Sequence, residues 1–223
     1  MNYENDFRKH ISKSDIPKVK MLWDSIPTHL GREKKKFIYK DVKVGGRASE
    51  FENAMNWLIN TGLVYKVSKT LTAKIPLSFY EEREIFKVYM LDTGLFCAKS
   101  NIDISSFYLP DNTIFSDFQG AMTEQYVLQE LKQSLPHTSI YYWGREKGDA
   151  EIDFMIQYKS SLVPIEVKST RNTKSKSLDA FRDLEKPKYA VRLSLKNFGT
   201  ENGLFSIPLY MIESLGDVLK ENE

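Results

Sequence analysis

The sequence predicts an α/β protein in two parts. Residues 1–92 read as helices closing on two strands, and residues 93–223 as an α-β-β-β-α-β core around a mixed sheet. Three observations predict it. Apolar residues recur at i, i+3, i+4 and i+7 over 15–30, 47–60 and 118–135, the spacing of amphipathic helices. Two apolar runs, Ile152 to Ile156 and Leu162 to Val167, flank the polar turn Tyr158-Lys159-Ser160-Ser161 and read as a hairpin. A chain of 223 residues, 41% hydrophobic and 13% aromatic, is long and apolar enough to bury a sizeable core.

The first helix spans 15–30. Val19, Leu22, Trp23 and Ile26 form its apolar stripe, Asp15 stands at the cap and Pro17 just inside. A basic stretch, Arg32 to Lys36, leads to a short Phe37-Ile38-Tyr39 element, and Gly45-Gly46 marks a turn. The helix over 47–60 turns Ala48, Phe51, Met55, Leu58 and Ile59 inward and ends at Thr61-Gly62. Strands follow at Leu63 to Val67 and Ile85 to Leu91, with a loop from Ser68 to Glu84 between them. Helices followed by a two-stranded wing are the winged-helix pattern. The outward face of the 47–60 helix carries Arg47, Ser49, Glu50, Glu52, Asn53 and Asn56. Arg47 and Asn53 suit base edges or phosphates, whereas Glu50 and Glu52 repel phosphate, so DNA reading and docking onto a protein stand equal here.

The net charge of +2 is unevenly spread. Residues 1–92 hold 17 Lys and Arg against 12 Asp and Glu, a net +5, and the remainder is net −3. The basic first part, with Lys34, Lys36 and Arg47, is a candidate phosphate-facing surface; the bland reading is a solvated face. One cysteine, Cys97, excludes an internal disulfide and fits a reducing cytoplasm, as a small core residue. His10, His29 and His137 lack ligand spacing and read as surface or loop residues. The polar, charged N-terminus is unlike a signal peptide, and no apolar run is long enough for a membrane span.

In the second part Asp92-Thr93-Gly94 is expected to be a turn, with irregular chain to Ser116 that includes a turn at Pro110-Asp111-Asn112. The helix over 118–135 opens on a capping box, Ser116 with Gln119. Val127, Leu128, Leu131 and Leu135 form its stripe, and Glu124 falls on the same buried face. A strand over 139–143, the two hairpin strands, a helix over 175–184, strands at 189–195 and 204–210 and a terminal helix complete the run. Folded about its turn, the hairpin sets Phe154 against Ile165 and Ile156 against Val163, with Ile152 against Val167 on the same apolar face. Asp153 then lies opposite Glu166, and Lys168 points the same way. Two carboxylates and an ammonium on one sheet face are costly unless something sits between them, and a divalent metal with a phosphate is the expected occupant. A buried Glu124 needs a partner, which such a site would supply. Tyr141, Tyr142 and Trp143 read as core residues before base-stacking platforms.

Glu124 on a helix, Asp153 on a strand and Glu166-Val167-Lys168 on the next resemble the PD-(D/E)XK nuclease-like superfamily, with Ile152 in place of its namesake proline. More widely, Tyr3-Glu4-Asn5-Asp6, Lys87 to Leu95, Tyr142-Trp143 and Pro164 to Lys168 resemble the C-terminal half of a prokaryotic AAA+ ATPase family, in which a winged-helix segment and a nuclease-like domain follow the ATPase. Asp6, Arg8 and Lys9 occupy the place of the basic motif that follows the ATPase there. No G-x-x-x-x-G-K-[ST] occurs in the chain, which therefore reads as either the C-terminal portion of such a protein or a natural short member.

The resemblance implies a restriction endonuclease-like fold in which Glu124, Asp153 and Glu166 bind Mg²⁺ or Mn²⁺ and Lys168 serves the attacking water or the scissile phosphate. Glu124, Asp153, Glu166 and Lys168 are thus the candidate catalytic residues. Arg145 and Lys147 before the hairpin, and Arg171, Lys174 and Lys176 after it, would clamp a nucleic-acid backbone. Three functions are expected to compete: a Mg²⁺-dependent hydrolase acting on DNA and coupled to an ATPase domain or partner, a non-catalytic nucleic-acid-binding module, and a regulatory domain that docks on the ATPase or forms an oligomer.

Overall fold

A computed structural model of the chain describes residues 11–102, 116–145 and 149–222, with the side chains of residues 116 and 117 excepted. The expectations for Tyr3 to Asp6, Arg8, Lys9, His10 and Lys147 and the turn at Pro110-Asp111-Asn112 lie outside these residues, as does the Ser116 side chain on which the capping box depends. The chain divides into two compact units, Met1–Lys66 with Lys87–Asp117, and Val67–Phe86 with Phe118–Glu223.

The first unit is helical: α1 (Ile16–Leu30), α2 (Tyr39–Val42), α3 (Ala48–Asn60) and α4 (Thr93–Lys99), with the outer ends of β1 (Val64–Thr70) and β2 (Glu81–Met90). The α1 stripe Val19, Leu22, Trp23, Ile26 and Leu30 is buried and packs toward α3. Asp15 stands at the α1 cap, but its carboxylate accepts from the Ser12 hydroxyl and Lys18 Nζ, each at 2.8 Å, instead of from a helix N–H. On α3 the inward residues are Phe51, Ala54, Met55 and Leu58. Ala48 is exposed and Ile59 half-buried, because the stripe centred on 51, 55 and 58 includes 54 and leaves 48 at its edge. Of the Phe37-Ile38-Tyr39 element only Tyr39 enters a helix, the single turn of α2; Ile38 before it is extended and Phe37 is buried.

Two expectations for this unit are corrected. Asp92-Thr93-Gly94 does not end in irregular chain; it opens α4, and the Asp92 carboxylate caps the helix by accepting the Leu95 N–H at 2.7 Å. His29 is not a surface residue. It is 1% exposed, stacks on Phe37 at 4.3 Å, and sets its ring nitrogens against the Ser25 and Ile38 carbonyls at 2.8 and 3.1 Å. It lies one turn beyond Ile26 on the buried stripe, where a ring whose N–H can donate to a backbone carbonyl is tolerated.

The second unit holds the rest of the α/β fold: α5 (Ser116–Ser134, from Phe118), β3 (Ile140–Gly144), β4 (Glu151–Tyr158), β5 (Ser161–Val167), α6 (Lys176–Glu185), β6 (Ala190–Ser194), β7 (Gly199–Glu201), β8 (Leu204–Pro208) and α7 (Leu215–Glu221). The eight strands form one mixed sheet in the order β2-β1-β3-β4-β5-β6-β8-β7. β1 runs parallel to β3, the β3-β4-β5 meander is antiparallel, β5, β6 and β8 are parallel, and β7 closes antiparallel on β8. The expected loop from Ser68 to Glu84 is shorter than its bounds: β1 runs on to Thr70, β2 begins at Glu81, and a 3₁₀ turn, Leu77–Tyr80, buries Leu77 between them.

Both faces of the sheet are covered. On one, Tyr141, Trp143, Ile152, Met155, Ala190 and Leu204 pack with Leu178 and Phe181 of α6, and the Trp143 and Phe181 rings meet edge-on at 4.9 Å. On the other, Phe154, Val163, Ile165, Val191, Leu193, Phe205 and Ile207 are equally buried. Tyr141 to Trp143 are therefore core residues. The expected strand at 204–210 stops at Pro208 and passes into a 3₁₀ helix, Leu209–Ser214. β7 was not legible as a strand; it joins β8 through Asn202-Gly203, both at positive φ (49° and 74°), a combination suited to a two-residue hairpin turn. Among the described residues no helix is long and apolar enough to cross a membrane.

Candidate functional site

The β4–β5 hairpin has the register that apolar alternation requires: Phe154 faces Ile165, Ile156 faces Val163 and Tyr158 faces Ser161. The ladder stops short of Asp153. On the other side of β4, Met155 pairs with Tyr141 but Ile152 pairs with Trp143, so Asp153 and Phe154 together stand against Tyr142 alone. One extra residue in one strand of an antiparallel pair is a β-bulge, which re-aims side chains and ends pairing. Its effect is seen at Ile152, which packs with Met155 on the α6 face and not with Phe154 as strict alternation predicts. Beyond the bulge the Asp153 side chain takes over from the backbone: Oδ2 accepts the Val167 N–H at 2.7 Å. β5 then turns to its other neighbour, and Lys168 N–H donates to the Leu193 carbonyl at 2.9 Å.

Glu166 lies one residue before this junction and is only 4% exposed. Its Oε1 accepts the Ser175 hydroxyl at 2.7 Å and pairs with Lys168 Nζ, also at 2.7 Å. Ser175 is the N-cap of α6, so the same hydroxyl accepts the Leu178 N–H at 3.2 Å. The start of α6 is thereby pinned to the end of β5. The second carboxylate oxygen, Oε2, is buried and has no hydrogen-bond partner among the described residues. An unsatisfied buried carboxylate oxygen is expensive, and a cation is the natural group to complete it.

Asp153, Glu166 and Lys168 are thus drawn together at the open end of the hairpin. Glu124 is buried on α5 at 5% exposure, as its place in the stripe predicts. Among the described residues, however, no three of His, Cys, Asp and Glu converge as a metal-ligand group. Glu166 Oε2, on the residue beside the Asp153–Val167 hydrogen bond, is where these acids could hold a divalent cation.

Arg171, Lys174 and Lys176 are exposed on the segment from β5 into α6, and Arg145 is exposed where β3 ends. Lys34, Lys36 and Arg47 are exposed in the first unit, where the neighbouring Arg32 and Lys43 pair with Asp41 and Glu50. The sequence reading missed three residues here. Ser175 was legible as a helix start but not as the partner of Glu166. Lys69 of β1 passes over Gly144, with Cε 3.1 Å from where a Cβ would stand and Glu151 Oε2 3.8 Å from the same point. Arg192 has a buried Nε without a hydrogen-bond partner among the described residues. None carries a short-range motif: Ser175 meets Glu166 from the start of α6, and sheet pairing sets Lys69 beside Tyr142 and Arg192 beside Glu166.

No curated protein and no solved structure matches the chain. Residues 2–106 match a family described as Domain of unknown function (DUF8612). Residues 119–212, which hold Glu124, Asp153, Glu166 and Lys168, match the family described as Domain of unknown function (DUF4143), a domain found C-terminal to AAA-type ATPase domains in bacteria.

Proposed function

We propose that the second unit carries a PD-(D/E)XK-type site for metal-dependent hydrolysis of nucleic-acid phosphodiesters, in a chain that works with an AAA-type ATPase and whose N-terminal helices and two strands serve as a winged-helix module. The observation that carries this reading is the buried, unpartnered Glu166 Oε2 beside Asp153 and Lys168. Asp153 and Glu166 would hold Mg²⁺ or Mn²⁺, with Glu124 as the further acid of the motif. Such an ion lowers the pKa of a bound water and polarises a phosphoryl oxygen.

The chain's own residues do the rest. Lys168 fixes Oε1 of Glu166 and keeps two further N–H donors for a phosphate oxygen or the attacking water. Ser175 restrains the same carboxylate and ties its position to α6. Asp153 is oriented by the Val167 N–H at a bulge that holds the hairpin end open. Arg145, Arg171, Lys174 and Lys176 flank the site and suit a polyanionic backbone.

The test is cleavage of plasmid and single-stranded DNA with Mg²⁺ or Mn²⁺, run beside Asp153→Asn and Lys168→Ala. Cleavage by the parent chain and by neither variant supports the reading; no cleavage and no metal binding by calorimetry removes it. The lack of a three-acid group among the described residues favours a second reading, a non-catalytic DNA- or protein-binding module of the ATPase. That reading predicts salt-dependent DNA binding that needs Lys34, Lys36 or Arg47 and is indifferent to Asp153.

A further inference from the structure

The candidate site continues across the parallel strands. Arg192 on β6 is the register partner of Glu166, Ser206 on β8 that of Arg192, and Gly199 on β7 that of Ser206. Register partners point to the same face, so an acid, a base, a hydroxyl and a residue without a side chain form one row. The face is that of α6, because Ala190 and Leu204, two residues before Arg192 and Ser206, pack with Leu178 and Phe181. The row starts near the carboxyl end of β5, beside the start of α6, and crosses the middle of β6 and β8.

Two polar atoms in this row are buried without hydrogen-bond partners among the described residues: Oε2 of Glu166 and Nε of Arg192. They belong to adjacent, oppositely charged residues, yet the ion pair of Glu166 is with Lys168. An acceptor that reaches Arg192 and leaves Glu166 its own ligand would complete both. A phosphate oxygen does this, and a guanidinium matches it better than an ammonium does. At the far end of the row a Cβ added to Gly199 would meet nothing within 4 Å, so the floor stays open toward the β7 edge.

We propose that Arg192 is a phosphate-positioning residue that takes a non-bridging oxygen of a nucleic-acid phosphodiester, bracketing it with Lys168 across Glu166. The assignment rests on the reading that Glu166 and Lys168 form the active site, and it is tested without catalysis. In EDTA, binding of a fluorescein-labelled dT₁₂ strand is followed by anisotropy over a range of salt for the parent chain, Arg192→Gln and Arg192→Lys. The expected result is about tenfold weaker binding for Arg192→Gln, with a salt slope shallower by about 0.7 and partial rescue by lysine. Equal affinity and slope in Arg192→Gln overturn the assignment, whatever happens to its thermal stability.

Should the glutamine variant fail to fold, the Nε–H NMR signal of Arg192 in the parent chain decides, identified by its loss in Arg192→Lys. It moves on titration with dT₁₂ if the assignment holds and stays fixed if Arg192 serves only the fold. The two readings fail separately. Arg192-dependent binding by a protein that never cleaves keeps the phosphate subsite and removes the nuclease. Cleavage undiminished in Arg192→Gln keeps the nuclease and removes the subsite.

Discussion

Ser175→Ala removes one hydroxyl that performs two tasks. It accepts the Leu178 N–H at 3.2 Å as the α6 cap and donates to the buried Glu166 Oε1 at 2.7 Å. Loss of a serine cap costs about 1 kcal/mol. A hydrogen bond to a charged group contributes about 1.5–3 kcal/mol. Lys168 remains on the same oxygen, and its side chain is 29% exposed, so water softens the loss and the lower half of the range applies. The expected total is about 3 kcal/mol, or roughly a hundredfold in an opening equilibrium.

Hydrogen exchange of the α6 amides reads this locally, and urea unfolding reads it globally. The physical cause is separated by repeating the substitution in a Glu166→Gln background. With no charge on residue 166 the charge-assisted part shrinks to an ordinary hydrogen bond, and Ser175→Ala should cost about 2 kcal/mol, the cap plus that bond. An unchanged cost in that background would refute the link between the cap and the carboxylate. A cost below about 0.5 kcal/mol in the parent would refute both tasks.

Asp153→Ala strands the Val167 N–H and should destabilise by about 1–3 kcal/mol in urea, whereas Asp153→Asn keeps an acceptor there and should stay within about 1 kcal/mol of the parent. Burial pushes the Cys97 thiol above its ordinary pKa, so at pH 8 its thiolate fraction is smaller in the folded than in the unfolded chain. Alkylation by iodoacetamide should therefore be slow in buffer and fast in urea, and equal rates would refute the burial of Cys97. Gly203→Ala places a Cβ 2.7 Å from the Lys188 carbonyl at φ +74° and should cost about 1–3 kcal/mol. Gly216→Ala on α7 meets only Leu135 Cδ2, at 3.7 Å, and should leave stability unchanged or raise it by up to about 1 kcal/mol, both read by thermal melts.

The hairpin was legible because period-2 alternation and a polar turn fix its register within a dozen residues, and Glu124 was legible from helical spacing alone. Ile152 was not, because a bulge is a two-against-one mismatch with β3, and no pattern within β4 announces the register of its neighbour. Arg192 was hidden for the same reason: it becomes the neighbour of Glu166 only once the α6 crossover lays β6 parallel to β5. Asp92 was misread because a cap and a turn share the same Asp-Thr-Gly chemistry, and only the buried Phe96 and Cys97 beyond it decide for the helix. β7, three residues long and bounded by glycine, lies below the length at which alternation can be seen at all.

The arrangement around Glu166 argues against a purely structural role for this carboxylate. A side chain kept at 4% exposure for packing would be stabilised most simply by an apolar residue or by a neutral amide with both ends bonded. Instead two donors converge on Oε1 and none reaches Oε2. Oε1 alone is enough to fix the orientation of the group, since Ser175 holds it from α6 and Lys168 from the end of β5. Asp153 is held in the same way, by the backbone N–H of Val167, at the point where the bulge ends the β4–β5 ladder. A fold that clamps two neighbouring acids and leaves a buried oxygen of one unsatisfied carries a cost of several kcal/mol in the ligand-free state. On the proposed reading a cation at Oε2 would offset that cost and reduce the repulsion between Glu166 and a phosphate held by Lys168 and Arg192.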